Sequence, residues 1–254
     1  MLLRIATLSV KTAMRLDLYL YENGFCMSRT EAKNFIQQGA VTVNGEAVTK
    51  PAFDVSGNEI IELDRSSKRY ASRGGLKLEA ALEMFSASPL GKRCIDIGAS
   101  SGGFTDCLLQ NGAERVIALD SGIAQLVDSL RKDARVVCVE KYNARYLKRE
   151  DLEFVPDFAV MDVSFISATL IIPAIYTCLA EKSDFICLIK PQFEVGRSYL
   201  GKGGIVKDKK ARELALKNVV DFARAVGFDF CGSIVSPIEG GDGNIEFLAH
   251  FKKN

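Results

Sequence analysis

From Arg93 onward the chain alternates short apolar runs with longer amphipathic stretches. The runs at 94–97, 115–119, 135–139, 158–162, 184–189, 229–235 and 245–250 predict strands. The stretches at 76–86, 103–111, 123–132, 167–180 and 209–226 predict helices. Strands of continuous apolar character separated by helices imply an α/β fold, a mostly parallel sheet covered on both faces. The last two strands have no helix between them, which predicts an antiparallel hairpin at one sheet edge.

The first part of the chain has a different rhythm. Arg15 to Asn23 reads as a short helix closed by Gly24. Ser28, with Glu31 three positions later, is a capping box opening a second helix that ends at Gly39. Val41-Thr42-Val43, Asn44-Gly45 and Glu46-Ala47-Val48 predict a hairpin, and Ile60 to Leu63 a further strand. Two helices and a few strands make a marginal core, suited to an accessory α+β module. The expected organisation is an extension at 1–13, whose end at Met14 is an alternative start. A small domain follows at 14–64, then a linker at 65–77 and a large domain at 78–254.

Composition and charge change this picture locally. Net charge is +1, so no overall positive field announces a nucleic-acid partner. Residues 1–64 hold 6 basic and 8 acidic side chains, so any RNA contact must use one face. The linker, in contrast, carries Arg65, Lys68, Arg69, Arg73 and Lys77 with no acid, among serines and glycines. A basic linker suits a phosphate backbone. The seven cysteines are scattered without a Cys-x-x-Cys pair, several within apolar runs, and read as small buried hydrophobes in a reducing cytoplasm. With His250 as the sole histidine, histidine triads and His/Cys metal sites have almost nothing to work with, and no metal is expected. The most apolar stretch, Ala168 to Ala180, is too short and too interrupted for a membrane span.

The small domain's Arg15-Leu16-Asp17, Ser28-Arg29-x-x-Ala32, Ile36, Gly39 and Val41-x-Val43-Asn44-Gly45 resemble the RNA-binding module of ribosomal protein S-four. That resemblance implies RNA contacts from Arg15, Arg29, Lys33 and Lys50, with the linker's Arg65, Lys68, Arg69 and Arg73 extending the basic surface. In the large domain, the first strand runs into Asp96-Ile97-Gly98-Ala99-Ser100-Ser101-Gly102-Gly103-Phe104-Thr105. A glycine-rich turn between strand and helix admits a ligand close to the backbone. It lacks the second glycine of the dinucleotide fingerprint and any Walker lysine. It resembles motif I of the Rossmann-like S-adenosylmethionine-dependent methyltransferases, which implies cofactor binding by Asp96, Gly98, Ser100, Gly102, Gly103 and Phe104. Asp120 ends the second strand, where a carboxylate can accept both ribose hydroxyls of a nucleoside cofactor. Asn143, beyond the third strand, is a candidate for the adenine edge.

Asp162 and Lys190 close apolar parallel strands, Glu246 lies among apolar strand residues, and Lys77 opens a helix. Such charges cost free energy unless paired or used, and two lysines with two acids can neutralise one another. In order and context they resemble the Lys-Asp-Lys-Glu tetrad of the FtsJ-type ribose 2′-O-methyltransferases. With Ser72-Arg73-Gly74-Gly75-x-Lys77, Asp162-Val-Ser-Phe165, Lys190-Pro-Gln-Phe-Glu194 and Gly243-Asn244-x-Glu246-Phe247, the chain is similar to the TlyA family over residues 14–251. That resemblance implies methylation of cytidine 2′-hydroxyls in ribosomal RNA, with the large subunit favoured. It also implies Lys77, Asp162, Lys190 and Glu246 as catalytic residues, with Asp162 beside the cofactor too. Lys190 acts either as base or, charged, as stabiliser of the developing alkoxide, with Asp162 orienting it. The glycine- and lysine-bearing segment Glu194 to Lys210 is expected to be a mobile loop closing on RNA. Asp162-Val-Ser-Phe lacks the prolines of exocyclic-amine methyltransferases, and no cysteine follows a proline as carbon-5 cytosine enzymes require. A non-catalytic ribosome assembly factor and a membrane-active haemolysin are the competing readings.

Overall fold

The structure, a computed structural model, describes residues 13–37, 39–63, 70–240 and 243–254. The chain divides into two compact units, Met1–Ser72 and Arg73–Asn254. The extension before residue 13 and the linker residues Arg65, Lys68 and Arg69 lie outside the described residues.

In the first unit, strand β1 (Met14–Arg15) leads into helices α1 (Leu16–Glu22) and α2 (Arg29–Gln37). Strands β2 (Val41–Val43), β3 (Glu46–Ala47), β4 (Asp54–Val55) and β5 (Ile61–Leu63) follow. The capping box at α2 is half as expected. Ser28 Oγ accepts from Glu31 N–H at 3.1 Å, while the Glu31 carboxylate accepts from Met27 N–H instead of the cap's own. Asn44 and Gly45 both take positive φ, +53° and +84°, as a two-residue turn between twisted strands demands. β2 pairs antiparallel with both β3 and β5, and β1 pairs with β4, a contact the sequence pattern did not predict. Leu16, Leu20, Ala32, Phe35, Ile36, Val41 and Val55 form the core.

The second unit opens with helix α3 (Gly74–Phe85), so residues 74–77, expected in the linker, are helical. Its sheet contains β6 (Arg93–Ile97), β7 (Arg115–Leu119), β8 (Val136–Val139), β9 (Phe158–Met161), β10 (Ser183–Ile189), β11 (Asp229–Val235) and β12 (Phe247–Lys253). Their order is β11-β12-β10-β9-β6-β7-β8. The strands β10, β9, β6, β7 and β8 run parallel to one another, and β12 is antiparallel to β10 and β11. Helices α4 (Gly103–Gln110), α5 (Asp128–Arg131), α6 (Ile172–Cys178), α7 (Pro191–Glu194) and α8 (Lys209–Val226) connect them. Phe158, Phe185, Phe228 and Phe251 are fully buried in the core.

Three expectations need correction. The helix predicted over 123–132 is only the four residues of α5. Upstream, Ala124 sits at φ +51°, Lys141 N–H donates to the Gly122 carbonyl, and Gln125 N–H to the Glu140 carboxylate. Those tertiary bonds hold the segment out of the helix. The helix predicted over 167–180 breaks into a 3₁₀ turn at Ala168–Leu170 and α6, with Pro173 in the first turn of α6. Of the cysteines, Cys231 is exposed and Cys138 half-buried; the other five are buried, and all seven are free.

Strand order reverses direction between β6 and β9: the chain runs outward through β7 and β8, then returns to β9 on the other side of β6. Ligands of open α/β sheets bind at the carboxyl ends of the strands at such a switch point.

Candidate active site

The polar residues singled out in the sequence stand in a row along that edge. Asp120 follows β7, Gly98 follows β6, Asp162 follows β9 and Lys190 follows β10. β12 runs the other way, so Glu246 at its start reaches the same edge. Ile189 of β10 pairs with Phe247 of β12, which sets Lys190 and Glu246 at adjacent positions.

A cavity of about 450 Å³ opens at the switch point, within the range of small-molecule sites. Gly98, Ser100, Asp120, Asn143 and Asp162 line it. Asp96, Gly102, Gly103 and Phe104 are buried and do not line it. They support the turn from below: Thr105 Oγ1 donates to Asp96 Oδ2 at 2.6 Å, while the buried Asp96 Oδ1 has no hydrogen-bond partner among the described residues. Burial pushes the Asp96 carboxyl up to about 7, with nearby Asp162 adding and the Thr105 bonds opposing. Leu119, Ser121, Gln125, Tyr142, Ser164, Phe165, Ile166 and Ile171 also line the cavity, and sequence reasoning had not singled them out for it. Positions just beyond strand ends could have marked Ser121, Tyr142, Ser164 and Phe165; nothing in the sequence marks Gln125 or Ile171.

The lining fits a nucleoside cofactor. Asp120 accepts one N–H on each oxygen, from Ser100 at 2.8 Å and Gly122 at 2.7 Å. Each carboxylate oxygen keeps a lone pair for a ribose hydroxyl. Asn143 uses its Oδ1 to accept from Arg145 N–H, which leaves its amide donors for an adenine edge. Gly98 takes φ +84°, and a Cβ there would lie 2.2 Å from the Asp162 carbonyl oxygen. Only glycine lets the turn pack this close to β9 while keeping the cavity open.

The tetrad resolves into two ion pairs. Lys190 Nζ lies 2.6 Å from Asp162 Oδ1 and donates to Ser164 Oγ at 2.7 Å. Lys77 Nζ donates to Glu246 Oε2 at 2.5 Å, with the two side chains 10% and 2% exposed. Gly240 packs against this carboxylate: a Cβ there would lie 2.6 Å from Glu246 Oε1. Next to Glu246, the buried Asn244 accepts from Val206 N–H at 2.9 Å and donates to the Gly204 carbonyl at 3.2 Å. It thereby ties the glycine-rich segment after α7 to the strand that carries the acid.

In the first unit, Asp17 is fully buried and holds Arg15 at 2.9 Å and Arg29 at 3.0 Å, each arginine about half exposed. Burial raises the Asp17 carboxyl, but the bonds from Arg15 and Arg29 outweigh it, leaving it below its ordinary value. The two guanidinium groups are thus brought together on one carboxylate. Lys33 and Lys50 are exposed, and Arg73, half-buried, precedes α3.

Among known families, the FtsJ-like methyltransferase model matches residues 70–253 and the S4 domain model residues 14–61. The chain is 46% identical over 239 residues to Hemolysin A of Brachyspira hyodysenteriae, covering 94% of this chain and 99% of that one. It is 41% identical over 235 residues to the 16S/23S rRNA (cytidine-2′-O)-methyltransferase TlyA of Mycobacterium tuberculosis, covering 92% and 88%. It is 34% identical over 263 residues to the 23S rRNA (cytidine-2′-O)-methyltransferase TlyA of Campylobacter jejuni, covering 95% and 100%. A solved structure from Streptococcus thermophilus, described as a suspected hemolysin, superposes with a TM-score of 0.75 at 45% identity, covering 97% of this chain and 90% of that one. The chain belongs to the TlyA family: an FtsJ-like, S-adenosylmethionine-dependent methyltransferase preceded by an S4 domain.

Proposed function

We propose that this chain methylates the ribose 2′-hydroxyl of cytidine in ribosomal RNA, with large-subunit RNA the favoured substrate. The observation that carries the reading is the Lys190–Asp162 pair at the end of the cofactor cavity, beside the buried Lys77–Glu246 pair. Both tuberculosis and Campylobacter relatives carry 23S rRNA in their names, which supports the large-subunit preference. A protein acting on ribosomes works in the cytoplasm, and no helix among the described residues is long and apolar enough to cross a membrane.

S-adenosylmethionine supplies a methyl group already activated by its positive sulfur. What the protein must add is alignment of the 2′-oxygen and relief of the charge that develops as its proton leaves. An ammonium has three donors; Lys190 gives one to Ser164 and forms an ion pair with Asp162, which leaves a donor for the 2′-oxygen. Lys190 then steadies the developing alkoxide, and Asp162 fixes the lysine between cofactor and substrate. Lys77 and Glu246 hold the far side of the ribose. On the first unit, Arg15, Arg29, Lys33 and Lys50 bind RNA phosphates, joined by Arg65, Lys68, Arg69 and Arg73.

The test is transfer of labelled methyl from S-adenosylmethionine to purified small and large ribosomal subunits, wild type beside Lys190→Ala, with nucleoside analysis. Label in 2′-O-methylcytidine of the large subunit, lost in the variant, is expected. No transfer to either subunit with cofactor binding intact would replace this reading with that of an assembly factor.

A further inference from the structure

The segment after β9 is held in an unfavourable shape. Phe165 adopts φ +66° and its side chain is 91% exposed. A bulky L-residue in the left-handed region costs about 1–2 kcal/mol, so contacts elsewhere must impose it. Among the described residues, the turn after β10 supplies four side-chain contacts to this segment. Lys190 Nζ donates to Ser164 Oγ at 2.7 Å. The Phe165 and Phe193 rings lie 5.3 Å apart. Ser167 Oγ donates to Glu194 Oε2 at 2.6 Å, and Ala168 N–H to Glu194 Oε1 at 2.7 Å. Glu194 is thus a bidentate anchor, and the stitched segment sets Ser164 against the amine of Lys190.

We propose that Ser164 is a fifth functional side chain of this site: a positioning residue whose hydroxyl, seated by Glu194, fixes the amine of Lys190 jointly with Asp162. Two contacts define the amine where one ion pair would leave it free to swing about Asp162. A lysine chain has four rotatable bonds, and loss of the second contact spreads its nitrogen over several positions. The Ser164 hydroxyl also keeps its own proton to donate into the cavity it lines. The charged groups near Lys190 include Asp162 from the end of β9, Glu194 on its own turn and, at the adjacent position before β12, Glu246 with its partner Lys77. None substitutes for a neutral acceptor. The role of Ser164 in turnover rests on the proposed ribose methylation.

The test uses the full chain with Ser164→Ala and Ser164→Thr. Ser164→Ala should lower kcat on ribosomal RNA by about 10- to 100-fold, the scale of a misplaced catalytic group, with affinity for S-adenosylmethionine held within about twofold. A bond accepted from an ammonium favours its charged form, so its removal should move the Lys190-dependent limb of the pH–rate profile to lower pH. Ser164→Thr, which keeps the hydroxyl, should restore both. Unchanged kcat and pH profile in Ser164→Ala would overturn the proposal, as would an equal loss in Ser164→Thr with cofactor binding retained. Acylation of Lys190, followed by mass spectrometry across pH, reads the amine without turnover. Faster labelling of Lys190 in Ser164→Ala supports the contact even if ribosomal RNA is not the substrate, and identical labelling rejects it.

Discussion

Removing Glu246 should separate what the Lys77–Glu246 pair does for stability from what it does for chemistry. At 2.5 Å and an effective dielectric of about 20, the gross attraction is about 7 kcal/mol. Most of it offsets the desolvation of two nearly inaccessible charges, so the pair's net worth is small. Removing one partner is different, because it leaves the other charge buried and unpaired, at about 3–5 kcal/mol. Glu246→Ala and Lys77→Ala should each destabilise the protein on that scale. Lys77→Met/Glu246→Leu, with no charge left to strand, should cost far less than the sum of the single changes. Urea unfolding followed by circular dichroism measures all four proteins, and methyl transfer is assayed in parallel. The double variant should regain stability and remain inactive. Single losses under about 1 kcal/mol would mean the pair is solvent-screened, and the reasoning from burial would fail. Activity returning with stability would make the pair purely structural.

Three further outcomes follow from the same geometry. Burial raises the Asp184 carboxyl, but bonds from His250 at 2.9 Å and Lys92 at 2.6 Å prevail and hold it at about 2. Its folded value is depressed, so its stabilisation, about 2 kcal/mol, is complete above pH ~4 and lost as pH falls through about 2. Asp184→Asn should lower the urea midpoint at pH 7 and scarcely change stability near pH 2. Because Asp96 titrates at about 7 and a cationic ligand favours its ionised form, affinity for S-adenosylmethionine should rise from pH 6 to 8. Titration calorimetry with the uncharged sulfur of S-adenosylhomocysteine should show a flatter profile, and an equal slope would remove Asp96 from the account. Phe165→Ala should weaken RNA turnover more than cofactor binding, since an exposed ring beside Lys190 is placed to stack on a base, at about 1–3 kcal/mol; equal KM values for RNA would argue against this.

The parallel strands were legible because strands buried on both faces must be largely apolar, and 158–161 and 185–189 are apolar throughout. The Asn44-Gly45 hairpin was legible because few residues tolerate two positive φ values in succession. The failures share one cause. The 122–125 segment leaves the helix because of bonds to residues 140 and 141, and nothing in its own periodicity announces partners that far along the chain. The two-residue pairing of β1 with β4 is too short to carry a pattern. Within the site, positions at strand ends marked Asp120, Asp162 and Lys190, and a resemblance marked Lys77 and Glu246. The service of Ser164 and Glu194 to Lys190 depends on contacts between turns about 30 residues apart, and the Lys77–Glu246 pair on one across 169 residues. The resemblance made Arg15 and Arg29 candidates and placed Asp17 in the same motif, but nothing in the sequence told that Asp17 is buried and anchors both.

The position of β12 inside the sheet bears on how this protein comes into being on a ribosome. Among the described residues β12 is the one sheet partner of β11, although β11 is made earlier. Until residues 247–253 leave the exit tunnel, β11 must wait and the edge of β10 stays open, an invitation to pair with other chains. Lys77, made 169 residues before Glu246, is meanwhile without its counter-charge. The nascent protein can therefore acquire its cofactor turn early but completes its reactive edge only once β12 has been made. A stop before residue 247 would remove an interior strand and leave a chain more prone to aggregate than to act.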